Sequence, residues 1–137
     1  MKIYIAGKLR NDSEREFLEE VARLCEDSGF DTFLPHRDVG LAKDVGDVNK
    51  IFKGDILEGF RDVDIVIGVL DGLHVGAGTA WELGYAYAKG IKCVGIKTDE
   101  SVEEALEYLS AILVGSMEIV DSVEKLKGWL NNFKAKS

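Results

Sequence analysis

Short runs of β-branched and apolar residues alternate along the chain with longer stretches in which apolar residues recur every three or four positions. That alternation predicts strands separated by helices. Ile3 to Ala6 reads as a first strand ended by Gly7. After a polar turn, Phe17, Val21, Leu24 and Cys25 recur at helical spacing, and Gly29 closes that helix. Thr32 to Leu34 makes a second short strand, and Pro35 to Asp47 is a polar, glycine-containing segment long enough to overhang a site. Helical spacing resumes at Val48, Ile51, Phe52, Ile56 and Phe60. Ile65 to Leu70 is the most apolar strand, and a run apolar on both faces belongs at a sheet centre. Residues 78–89 predict a helix, Cys93 to Ile96 a strand, Val102 to Leu109 a helix, Glu118 to Val120 a last strand and Val123 to Phe133 a last helix.

Parallel strands joined by helices need right-handed crossovers. Five of them in 137 residues predict an α/β, flavodoxin-like three-layer sandwich with a five-stranded parallel sheet in the order 2-1-3-4-5. No linker, repeat or biased tract divides the chain, so residues 1–137 are expected to form a single domain. Ligands of such sheets bind at the carboxyl ends of the strands. The loops Gly7 to Asp12, Pro35 to Asp47, Asp71 to Gly78 and Lys97 to Ser101 are therefore where a site is expected.

Charge narrows the partners. Against 17 basic side chains stand 25 acidic ones, a net −8 that repels a phosphate polymer, so duplex DNA or RNA is not expected. The two cysteines, Cys25 and Cys93, give no disulfide framework and no zinc spacing, and a reducing cytoplasm fits best. The N-terminal apolar run is too short for a signal peptide, and no stretch reaches the roughly 20 apolar residues of a membrane span. His36 and His74 stand alone, so no metal is expected, and Ser13 and Ser110 lack a nucleophile elbow.

One carboxylate stands apart. From Gly72 to Ala88 the only formal charge is Glu82, in a helix that offers apolar or aromatic groups on every side and is expected to be covered all round. An unpaired buried carboxylate is costly, so Glu82 belongs to a cleft or an interface. Function and a structural ion pair are both open from the local pattern. Its place in the first or second turn, behind Gly76 and Gly78, predicts an ionised, nucleophilic form. Gly76-Ala77-Gly78 exposes backbone amides but is weakly specific, and the P-loop lysine is missing. Gly7-Lys8-Leu9-Arg10 places two cations beside free amides at the switch point. That suits one small phosphate, or two solvated cations. Asp55, among Phe52, Ile56 and Phe60, can face either water or the site, and the pattern alone favours water.

Read together, Tyr4-Ile5-Ala6-Gly7, Asp55 followed by Asp64-Ile65-Val66, Asp71-Gly72 and Gly78-Thr79-Ala80-Trp81-Glu82-Leu83-Gly84-Tyr85-Ala86 resemble the nucleoside 2-deoxyribosyltransferase family over nearly the whole chain. The resemblance implies that Glu82 is the nucleophile that attacks C1′ of a 2′-deoxyribosyl group. It implies too that Tyr4 orients Glu82, that Asp55 handles the proton on the departing base or the sugar hydroxyl, and that no metal or organic cofactor is needed. Two features lean towards the 2′-deoxynucleoside 5′-phosphate N-hydrolase branch, where water replaces the acceptor base. Gly7-Lys8-Leu9-Arg10 is similar to its phosphate loop, and Leu109-Ser110-Ala111 resembles the segment whose serine reaches a neighbouring subunit's phosphate. A homodimer or larger homo-oligomer with Ser110 supplied in trans is implied, assembled through the helix carrying Trp81 and Tyr85.

Gly76 departs from the pattern, because transferases carry an aspartate there and N-hydrolases a serine. His36 and Arg37 lie in a loop that borders the substrate in relatives and could supply what Gly76 lacks. The resulting expectation is hydrolysis of the N-glycosidic bond of deoxynucleosides or their 5′-monophosphates. Base exchange and a non-catalytic nucleotide-binding module are the rivals. A phosphoacceptor receiver domain shares the architecture but would need acidic residues where Gly7-Lys8 stand.

Overall fold

The computed structural model describes residues 1–137. Strand β1 (Lys2–Ala6) leads into α1 (Asp12–Asp27), β2 (Asp31–Phe33), a short α2 (Pro35–Asp38), a 3₁₀ turn (Val45–Asp47) and α3 (Val48–Phe52), which continues as a π-helix (Lys53–Glu58). Then come β3 (Ile65–Val69), α4 (Ala77–Ala88), β4 (Lys92–Ile96), α5 (Val102–Ala105), α6 (Ala111–Ser116), β5 (Glu118–Val120) and α7 (Val123–Lys136). All strands are parallel in the order β2-β1-β3-β4-β5, as the alternation of strands and helices predicts. Tyr4 pairs in register with Val66, and Val66 with Cys93.

Side chains alternate across a strand, so the sheet builds two cores. Ile3, Ile5, Ile65, Ile67, Val94 and Ile96 face α1 and α7, packing on Leu18, Val21, Cys25, Leu126 and Leu130. Tyr4, Ala6, Val66, Leu70 and Cys93 face the other way, onto Ile56, Phe60, Leu83 and Ala86. Every residue of β3 is buried, in keeping with its central place.

Caps set the helix ends. The Asn11 side chain accepts the Glu14 N–H at 2.8 Å to start α1, and Gly29, at φ +90°, turns the chain out of it. The expected helix over Val102 to Leu109 is shorter, ending at Ala105. Beyond it the Ser110 hydroxyl accepts the Ile112 N–H at 3.2 Å and opens a separate helix, α6, that the apolar spacing does not reveal. The predicted loop Pro35 to Asp47 holds α2 and the 3₁₀ turn, and the last helix runs to Lys136. No helix is long and apolar enough to cross a membrane, and no group of three or more His, Cys, Asp or Glu is placed to hold a metal ion.

One buried cation fixes the loop at the sheet's carboxyl edge. Lys97, only 2 % exposed at the end of β4, donates to the Leu70 carbonyl (3.3 Å), the Gly72 carbonyl (3.2 Å) and Asp99 Oδ1 (3.0 Å). Asp99 in turn accepts the Gly72 N–H at 2.8 Å, and Asp71 accepts the Thr98 N–H at 2.7 Å. The chain between β3 and α4 is thereby tied to the chain after β4.

Candidate active site

The even face of β1 carries Tyr4 towards α4. Its ring is fully buried and stacked between Phe33 and Phe60, with centroids 5.2 and 4.2 Å away, so the hydroxyl is held in place. Opposite it, Gly68 of β3 lets α4 approach closely. A Cβ at Gly68 would lie 2.8 Å from Leu83 Cδ1, so a side chain there would force the Leu83 side chain of α4 to shift. The close approach brings Glu82 over Tyr4, whose hydroxyl donates a hydrogen bond to Glu82 Oε2.

A third polar group comes from the π-helix. Its wider turn, marked by the Gly59 N–H bonded to the Gly54 carbonyl at 2.9 Å, shifts the residues beyond Phe52 off ordinary helical spacing. Asp55 consequently lines the cleft, with Oδ1 buried and without a hydrogen-bond partner, where the sequence pattern placed it facing water. Helical spacing cannot show this, because the π-turn changes the phase.

The cleft has a volume of about 700 Å³ and opens at the carboxyl edge of the sheet, as expected for this architecture. Gly7, Lys8, Leu9 and Arg10 form one wall, and Gly76, Ala77, Gly78, Thr79, Trp81 and Glu82 a second. Pro35, Val48, Ile51, Phe52, Asp55 and Ile56 form the third. Trp81 stacks on Tyr85 at 5.4 Å and meets Phe52 edge-on at 6.1 Å, giving the cleft a flat aromatic flank.

Burial governs the electrostatics. It pushes the Glu82 carboxyl up to about 7; the Tyr4 hydrogen bond pulls the other way and the charge of Asp55 adds to the rise. The expected low, helix-favoured value is therefore corrected, because removal from water outweighs the helix terminus. Burial also raises Asp55, to about 6. Tyr4 stays protonated, lifted far above the ordinary phenol value by its own burial and by the adjacent Glu82. The cleft thus holds two carboxyls that exchange protons near neutrality, one of them gripped by a fixed phenol.

Gly7, Lys8, Leu9, Arg10, Gly76 and Gly78 all line the cleft, beside Glu82 and Asp55, and Tyr4 supports it from behind. His36 does not. Pro35 and His36 are successive residues of a helical turn, about 100° apart, so Pro35 faces the cleft while His36 Nε2 lies 3.1 Å from Glu19 Oε1 on α1. Arg37 pairs with Asp38 and Glu26. Ser110 is exposed at the start of α6, outside the cleft of its own chain.

Nor is α4 covered all round, since Trp81 is 51 % and Tyr87 65 % exposed. At Gly76, which caps α4 with φ −64° and ψ 148°, a Cβ would sit 3.0 Å from Lys8 Cγ. The aliphatic stem of Lys8 packs into the space a side chain at 76 would take. Val48, Ile51, Thr79 and Trp81 also line the cleft, which helical spacing does not show. Their shared wall becomes visible once α3 and α4 are set side by side.

A parallel α/β sheet whose carboxyl edge holds paired carboxyls in a half-apolar cleft, with no metal-ligand cluster, is a scaffold for acid–base and nucleophilic work on a small ligand. A model of the nucleoside 2-deoxyribosyltransferase family matches residues 3–126, and the chain belongs to that family. It is an enzyme acting on N-glycosidic bonds.

Among solved structures it is similar to a conserved protein from Enterococcus faecalis V583, with 28 % identity, 93 % of this chain and 95 % of that one covered, and a TM-score of 0.73. A 2-deoxyribosyltransferase from the psychrotolerant Bacillus psychrosaccharolyticus shares 22 % identity over 93 % of this chain and 90 % of that one, with a TM-score of 0.68. The CMP N-glycosidase BcmB of Clostridium botulinum shares 16 % identity over 96 % and 99 %, with a TM-score of 0.63. The last two likenesses are likenesses of fold. No curated protein matches the sequence.

Proposed function

We propose that this enzyme hydrolyses the N-glycosidic bond of 2′-deoxyribonucleosides or their 5′-monophosphates through a deoxyribosyl ester on Glu82. The observation that carries the reading is the meeting of Glu82, held by the Tyr4 hydroxyl, with the unpartnered Asp55 carboxyl in one cleft. A carboxylate against C1′ stabilises the oxocarbenium-like charge and then traps it. A Glu82 oxygen bonds to C1′ as the C1′–N bond breaks; the electron pair of that bond goes to the base, which takes a proton from the Asp55 carboxyl. Water then attacks C1′, giving its proton to the Asp55 carboxylate, and the ester bond to Glu82 breaks. The products are a free base and 2-deoxyribose or its 5-phosphate.

The remaining roles follow the walls of the cleft. Gly7, Lys8, Leu9 and Arg10 face the 5′ end of the sugar, with the cations as phosphate partners, and Gly76 and Gly78 bring backbone to the ligand. The exposed, uncharged face of α4 with Trp81 supports a homodimer, with Ser110 reaching a neighbour's cleft. Relative to wild type, Glu82→Ala and Glu82→Gln are expected to lose at least ~10³-fold in kcat/KM.

The test incubates the purified protein with a deoxynucleoside, its 5′-monophosphate and a free acceptor base. Release of base and sugar without any new nucleoside is the expected result. Appearance of a new nucleoside replaces hydrolysis by base exchange at the same Glu82, and unchanged substrate refutes the reading.

A further inference from the structure

A carboxylate of this chain already occupies the cation pair that the cleft offers to a phosphate. Lys8 and Arg10 line the cleft and also an adjoining cavity of about 390 Å³ on the α1 side, which Glu14, Ser13 and Asp71 border. Glu14 borders that second cavity and not the cleft, and it draws both cations. Its Oε2 lies 3.1 Å from Arg10 Nη2 and 3.7 Å from Lys8 Nζ, and its Oε1 accepts the Arg10 backbone N–H at 2.9 Å. Two side-chain cations and one free amide are the donor set that a phosphate monoester would use at this strand end. The two oxygens of Glu14 engage all three.

The Glu14 side chain is 20 % exposed and the Lys8 side chain 13 %, so solvent screens that contact only in part, whereas the Arg10 side chain, 72 % exposed, leaves its pair with Glu14 open to screening by salt. Lys8 is held from below as well, its stem lying against Gly76 and its ammonium over Gly72.

We infer that Glu14 is a built-in competitor for the substrate's 5′-phosphate, and hence a residue that sets how far the enzyme prefers 5′-monophosphates to plain nucleosides. The inference rests on the reading that places C1′ at Glu82. With Glu14 in place, a phosphate dianion meets two cations and one like charge and must displace a carboxylate. With Glu14 neutralised, the same phosphate meets two unpaired cations. A nucleoside, ending in a hydroxyl, is indifferent to the exchange.

Equilibrium binding of 2-deoxyribose 5-phosphate and of 2-deoxyribose, by calorimetry at low and at physiological salt, tests this without catalysis. Glu14→Gln keeps shape and removes charge. It is expected to bind the phosphorylated sugar about tenfold more tightly than wild type at low salt, less so at high salt, with 2-deoxyribose unchanged. Adding Arg10→Met to Glu14→Gln is expected to abolish the gain, which guards against an indirect effect of the first substitution. In turnover, the ratio of kcat/KM for the 5′-monophosphate over that for the nucleoside rises by a similar factor. Equal or weaker binding of the phosphorylated sugar by Glu14→Gln, or an equal gain for both sugars, overturns the proposal. Absence of base release by wild type would overturn the reading of Glu82 and is scored in a separate assay.

Discussion

Replacing Glu82 by glutamine removes one charge and little volume, and the structure fixes how stability should respond. The folded chain holds this carboxyl at about 7 against an ordinary 4.5, chiefly through burial. A raised value means that the fold favours the protonated form. Its contribution is present below 4.5, the unfolded value, and lost as pH rises through 7. By linkage, the whole interval corresponds to about 3 kcal/mol against the ionised native state above pH 8. Glutamine cannot ionise, and its amide oxygen can still accept the Tyr4 hydroxyl, so Glu82→Gln is relieved of that penalty. Thermal melts should show the variant close to wild type at pH 4.5 and about 10 °C more stable at pH 8. Equal melting at both pH values, or a less stable variant at pH 8, would refute the view that the carboxylate is held in the cleft against its own solvation. A stabilised and inactive variant at high pH is the pattern expected of a residue kept for chemistry rather than for folding.

Other consequences follow from the same geometry. Between about 6 and about 7 the Asp55–Glu82 pair carries one proton, so kcat/KM should trace a narrow bell with limbs near those values. A flat profile from pH 4.5 to 8.5 would contradict the pairing. Asp55→Asn removes the proposed proton donor and should lower kcat/KM about 10²–10⁴-fold, with much of the loss recovered on a deoxyriboside whose leaving group needs no proton. Equal losses on both substrates would count against Asp55 as the acid. Gly76→Ser is admitted by the backbone but presses on Lys8, so it should change KM more than kcat and shift stability by less than about 1 kcal/mol in urea melts. Lys97→Met leaves the Leu70 and Gly72 carbonyls and Asp99 without their shared donor. It should cost about 2 kcal/mol and raise KM by loosening the start of α4, and an unchanged melt would show the clamp to be idle.

The alternation of apolar runs and helical spacing, with its right-handed crossovers, was enough for the parallel sheet and its order, because hydrophobic period and chain handedness are local and general constraints. Glu82 stood out for the same kind of reason: one charge in an otherwise uncharged helix is visible along a line of residues. What lay outside the line was decided in three dimensions. The π-turn that rotates Asp55 into the cleft, the glycine at 68 that seats α4 against β3, and the helical turn that sends His36 to Glu19 each depend on packing between segments far apart in sequence. The protonation of Glu82 belongs with them. Its position on α4 argues for an anion, whereas burial, with the charge of Asp55 adding to it, lifts the carboxyl to about 7, so both protonation states are accessible near neutrality. Local pattern determines which elements form and which face they bury; desolvation and contact between elements exist only after the chain has closed on itself, and they decided the chemistry of the cleft.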